Sequence, residues 1–158
     1  MKRILILVVA LTLAAVPAMV PAADTSQAAD IVELARTVLK AEKKVAFAEN
    51  MWLNDAEAKA FWPVYNEYEA DLTKINNRSI KLLEEYADRF DTLTDKQAKE
   101  MLDEIFSIRE KRLGLQKSYI KKFGKVIPQK KVFRFFQLES AIESLINFSI
   151  AADLPYME

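Results

Sequence analysis

Between residues 55 and 90 the apolar side chains Phe61, Tyr65, Tyr68, Leu72, Ile75, Leu82, Tyr86 and Phe90 recur at spacings of three, four and seven. Only a helix gathers such a spacing onto one face, because a strand alternates with period two. The segment therefore predicts an amphipathic helix from about Asp55 to Phe90, about 54 Å long at 1.5 Å per residue. Its stripe is broken by the polar run Asn76, Asn77, Arg78 and Ser79. Pro63 removes one intrahelical donor and predicts a kink near Trp62. A helix this long cannot bury its stripe alone, so other helices must cover it.

Three further stretches supply them, and none reads as a strand. The first, from about Ala28 to Asn50, carries Ile31, Leu34, Ala35, Val38 and Leu39 at helical spacing, with a poorly apolar second half beginning at Lys40 to Lys44. Another runs from about Asp95 to Phe123, with Met101, Ile105, Ile108, Leu115 and Tyr119 on one stripe and Leu102, Phe106 and Leu113 beside it. Lys121 and Lys122 in its last turn suit the negative end of the helix dipole, and Gly124 predicts a left-handed stop. The last opens with Pro128 at a first helical position and continues through Val132, Phe135, Phe136, Leu138, Ile142, Leu145 and Ile146 to about Ala151, before an extended tail at Leu154-Pro155. The expected fold is all-α, an elongated bundle of about four helices with a long antiparallel hairpin.

Met1-Lys2-Arg3, an apolar run from Ile4 to Val16 and the small residues before Ala23 have the form of a secretory signal peptide, residues 1–22. The run is shorter than the roughly 20 residues of a membrane-spanning helix. Cleavage would leave residues 23–158 as a single helical domain in the periplasm. It would remove Lys2 and Arg3 and no acid, turning a balance of 23 bases and 23 acids into 21 − 23 = −2. The chain has neither cysteine nor histidine, which excludes a disulfide framework, a Cys/His zinc site and any nucleophile paired with imidazole. No paired-acid spacing stands out from ordinary surface carboxylates, so no catalytic residue, cofactor or metal ligand is assigned and the chain is not read as an enzyme.

Two helix entries share one device. In Leu93-Thr94-Asp95-Lys96-Gln97, Thr94 can cap the helix while Gln97 reaches back to it, and Leu93 precedes the cap as a staple. Leu53, Asn54 and Glu57 repeat the arrangement forty residues earlier, and Leu53/Leu93, Asp55/Asp95, Ala58/Ala98 and Lys59/Lys99 are identical pairs. A helical, cysteine-free, exported chain with Leu-Thr-x-x-Gln at a helix entry resembles the Spy/CpxP family of periplasmic stress proteins and chaperones. Leu93, Thr94 and Gln97 match that motif fully, and Leu53, Asn54 and Glu57 match it in degenerate form. The resemblance spans roughly residues 50–140. It implies long bent helical hairpins pairing into an antiparallel homodimer, and ATP-independent binding of unfolded or damaged envelope proteins. The metal-sensing relatives use His and Met, whereas this chain has no His and only Met51, Met101 and Met157 beyond its leader.

Charge adds a separate argument. From Lys117 to Phe136 there are seven bases, Lys117, Lys121, Lys122, Lys125, Lys130, Lys131 and Arg134, and no acid. They interleave with aromatic and aliphatic residues, a mixture that suits acidic, partly unfolded polypeptides or peripheral contact with an anionic membrane. Export argues against nucleic acid. The same residues can equally solvate a turn while the aromatics face the core. Phe61-Trp62-Pro63-Val64-Tyr65 reads as core, with Trp62 partly exposed. Glu139 and Arg112 fall on apolar stripes, so a pair between them, or between Arg109 and Glu139, is expected across the interface. Two functions follow: a chaperone-like binder of unfolded envelope proteins, or a structural or regulatory protein that recognises one folded partner, such as a membrane sensor's periplasmic domain.

Overall fold

The structure, a computed structural model, describes the backbone over residues 25–153 and side chains over 37–151, residue 38 apart. The expected leader and the tail at Leu154-Pro155 lie outside the described residues. Four helices follow one another: α1 Thr25–Asn50, α2 Asp55–Arg89, α3 Asp95–Phe123 and α4 Gln129–Asp153. A 3₁₀ turn, Phe90–Thr92, closes the end of α2, and there is no strand among the described residues. The all-α class is the one the periodicity requires. The chain divides into two compact units, Met1–Lys40 and Ala41–Glu158. Within the described residues the first holds the opening of α1, where Leu39 is exposed; the second holds everything discussed below.

α2 and α3 form the antiparallel hairpin. Glu67 meets Lys122, Asp71 meets Tyr119, Asn76 meets Arg112 and Arg78 meets Glu104, one index rising as the other falls. The polar break in α2 is thereby accounted for. Arg78 forks onto both Glu104 oxygens at 2.9 Å and reaches Ser107 Oγ, while Arg112 donates to Asn76 Oδ1 at 2.7 Å. α4 runs antiparallel to the last turns of α1, with Phe47 stacked on Phe135 at 4.9 Å and Lys43 at Glu139.

The core is aromatic. Phe61, Tyr65 and Tyr68 of α2, Tyr119 and Phe123 of α3, Phe135 of α4 and Phe47 of α1 are all buried in one cluster. Phe123 and Phe135 lie 4.4 Å apart at its centre. Each buried ring contributes about 1.5–3 kcal/mol by transfer from water, and its edge-to-face contacts add about 0.5–1.5 kcal/mol. Pro63 sits inside an uninterrupted α2.

Several boundaries and roles differ from expectation. α1 begins at Thr25, three residues early, and its second half is no weak end: Phe47 is fully buried there, as is Met51 directly after the helix. Two large residues and one lysine outweigh the polar composition around them. Pro128 stands one residue before α4, and its carbonyl accepts from Lys131 and Val132. Gly124 is right-handed, at φ −62° and ψ −14°, not left-handed. A Cβ there would sit 2.5 Å from Gln129 Nε2, the movable tip of an exposed side chain, and 3.1 Å from the Ile120 carbonyl, so only the backbone contact crowds the position.

Candidate binding surface

Both capping boxes form. Asn54 Oδ1 accepts from the Glu57 N–H and Glu57 Oε2 accepts from the Asn54 N–H, each at 2.9 Å. Thr94 Oγ1 accepts from the Gln97 N–H at 3.4 Å, and Gln97 Oε1 accepts from the Thr94 N–H at 3.0 Å. Leu53 and Leu93 are half-buried, and Leu53 packs on the core as a staple residue should. Glu57 does more than cap. It also pairs with Lys131 of α4, and that cation together with the Asn54 N–H holds its carboxyl below the ordinary carboxylate range.

The seven bases of the acid-free stretch divide into two groups. Lys131 and Arg134 make contacts within the fold: Lys131 binds Glu57 and donates to the Trp52 carbonyl at 2.8 Å, and Arg134 donates through Nε alone to the Asn50 carbonyl. Their charge meets the open carbonyls at the end of α1, where a helix dipole favours cations. Lys122 pairs with Glu67 at 3.1 Å and lies 4.2 Å from the centre of the Tyr119 ring, and these two neighbours raise its pKa. Lys117, Lys121, Lys125 and Lys130 are exposed and have no partner among the described residues. The interleaved apolar residues also divide: Tyr119, Phe123, Ile127, Val132 and Phe135 are buried, whereas Ile120 and Phe133 are exposed. The corner between α3 and α4 therefore shows four uncompensated lysines beside uncovered apolar side chains.

The residue that sequence reasoning missed at this end is Trp52. It lies between α1 and α2 at φ 50°, the one described non-glycine residue with positive φ, and is 69% exposed. A left-handed conformation costs a bulky residue about 1–2 kcal/mol and persists only where neighbours over-determine it. The neighbours here are Lys131 at its carbonyl and Arg134, whose guanidinium carbon lies 3.4 Å from the indole centroid. Trp62, by contrast, is half-buried against Phe61 and Tyr65 as expected, with Lys44 over its ring at 5.4 Å.

Glu139 is buried, at 3% exposure, and is paired, but not with Arg112 or Arg109. Its partner is Lys43 of α1, whose Nζ lies 3.0 Å from Oε1, to which it donates, and 2.9 Å from Oε2, where no hydrogen bond forms. Tyr68 donates to the same Oε1 at 3.1 Å, and Lys43 also binds Glu69 at 2.7 Å. Burial, and then the Glu139 charge, push the Tyr68 phenol far above its usual range. Arg112 reaches Glu143, one turn further along α4, at 3.2 Å, and Arg109 is exposed over the Phe106 ring. The sequence placed the partner on the wrong helix because the poorly apolar half of α1 was not expected to enter the core.

Outside the core, α3 shows a second apolar line. Leu102, Phe106, Leu113 and Ile120 are all exposed, and the last three are seven residues apart. Next to it, Gly114 opens a shallow groove of about 490 Å³ between α2 and α3, walled by Asp71, Lys74, Arg78 and Lys111. Among the described residues no group of three or more His, Cys, Asp or Glu is placed to hold a metal ion, and no helix is long and apolar enough to cross a membrane. No family model, no curated protein and no solved structure matches this chain.

Proposed function

We propose that the protein is an exported, ATP-independent chaperone-like binding protein of the periplasm, acting on unfolded or damaged envelope proteins without catalysis. The observation that carries this reading is the α3–α4 corner, where Lys117, Lys121, Lys125 and Lys130 have no counter-ion among the described residues and stand beside exposed Ile120 and Phe133. Long-range attraction concentrates acidic chains at such a surface, and apolar contact then retains them. The resemblance carried by Leu93, Thr94 and Gln97 points the same way.

The heptad-spaced line on α3 supports a homodimer, since an apolar helix face at that interval suits a second helix. The same face also suits a helix of one folded partner, which is the second reading. Aggregation of a reduced, unfolding client, followed by light scattering with equimolar protein at low and high salt, separates the two. Suppression that weakens as salt rises supports the first reading; no suppression at low salt removes it. Capture of one dominant partner that withstands high salt, without general suppression, supports the second.

A further inference from the structure

Charge is segregated more sharply than the seven bases alone suggest. Residues 111–138 contain nine bases and no acid, so the other 130 residues carry 23 − 9 = 14 bases against 23 acids. Within that basic segment most aromatic residues face the core. Phe133 does not: it is 67% exposed, one turn after the exposed Lys130 and directly before Arg134. Arg134 in turn lies over Trp52, a second strongly exposed ring at this corner, which is held in a strained backbone conformation by contacts from α4. Only Nε of the Arg134 guanidinium is engaged, by the Asn50 carbonyl, so its two terminal amines have no partner among the described residues. From Phe133 a groove of about 470 Å³ runs along α4, with small side chains, Ser140, Ala141 and Ser144, and Phe136 at its wall.

We propose that Trp52, Phe133, Arg134 and Lys130 form the docking point for acidic segments of extended polypeptide. The proposal rests on the chaperone-like reading and gives it a location. Each part has a chemical task. The Arg134 amines, pre-oriented by the indole beneath them, present a planar fork to a carboxylate. Lys130 adds a second charge at helical spacing i, i+4. Trp52 and Phe133 cover apolar side chains next to that carboxylate, and the α4 groove has room for the following residue. Tryptophan and arginine at the centre of a patch are the residue types that carry most binding energy in interfaces. An acidic partner is selected because the basic segment has no acids of its own, while the remainder of the protein repels one.

The test uses reduced, carboxymethylated α-lactalbumin as the probe, a permanently unfolded acidic chain, with the full-length protein carrying W62F so that Trp52 is the only tryptophan. Binding is read twice, by anisotropy of the labelled probe and by Trp52 emission. The expected result is saturable binding that shifts Trp52 emission and weakens at least tenfold in F133A and W52A, with a smaller loss in K130A. Phe133 and Trp52 are exposed, and unchanged far-UV dichroism of both variants checks the fold. If W62F itself does not fold, the anisotropy series in the native background decides alone. Probe binding with unchanged affinity in F133A and W52A overturns the docking point while the chaperone-like reading stands. Absence of both probe binding and aggregation suppression overturns the two together. An emission shift produced by phosphatidylglycerol vesicles but not by the probe, or by raising the protein's own concentration, also overturns the proposal, assigning the patch to membrane or to a second copy.

Discussion

Replacing Lys43 by methionine removes the cation that serves two carboxylates at once. Glu139 is 3% exposed and would keep only the Tyr68 hydroxyl as a donor, while Glu69, at 18% exposure, can turn toward water. Removing one partner of a buried pair costs about 3–5 kcal/mol, because the remaining charge is left uncompensated in a medium that solvates it poorly. Methionine preserves the unbranched stem, so little of the loss is packing. Against a typical total stability of about 5–15 kcal/mol this is a large share. For a chain of this size it corresponds to a fall in Tm of roughly 10 °C. The cost should depend on Glu139: E139Q alone leaves the Lys43–Glu69 pair intact and costs about 1–2 kcal/mol, and the double variant K43M/E139Q should recover at least half of the K43M loss. Urea titrations followed by far-UV circular dichroism give all four corners of the cycle. A K43M loss under about 1 kcal/mol, or a double variant no more stable than K43M, would refute the buried-pair reasoning.

Other expectations follow from the same contacts. Gly114 lies inside α3, and a methyl group added at its Cα would meet nothing within 4 Å, so G114A should stabilise by about 0.5–1 kcal/mol, read as a higher urea midpoint at unchanged slope. Each capping box is worth about 1 kcal/mol, and N54A and T94A should both show that loss in chemical denaturation. N54A should lose more if the Asn54 cap also positions Glu57 for Lys131. Glu57, Asp71 and Glu104 are held below the usual carboxylate range by Lys131, by Lys74 with Tyr119, and by Arg78 respectively. As pH falls, the unfolded chain therefore takes up protons first. The stability these groups add is fully present above about pH 5 and is lost below about pH 4 as the folded carboxyls protonate. Tyr65 and Tyr68 are shifted the other way by burial, so their contribution holds below about pH 10 and falls above it. With no histidine in the chain, thermal melts between about pH 5.5 and 8 should superimpose.

What the sequence determined by itself is local and periodic. The threes and fours of Phe61, Tyr65, Tyr68, Leu72 and Ile75 named the buried face of α2, because helical geometry turns spacing into a face without reference to any neighbour. Both capping boxes were legible for the same reason, since cap, staple and reciprocal partner lie within five residues. That Glu139 and Arg112 need partners is equally local, because a charge on an apolar stripe is costly whatever faces it. The identity of those partners was not local. Lys43 reaches Glu139 across 96 residues, and Arg112 reaches Glu143, one turn beyond Glu139 on α4. The left-handed Trp52 is not legible in this way, because its conformation depends on Lys131 and Arg134 of α4, whereas Phe133 already stands off the stripe of Val132, Phe135 and Phe136. Pattern places a residue on its own helix; only the packing of α4 against the end of α1 decides which aromatic rings are enclosed, which are left outside, and which of seven similar bases keep their charge for something else.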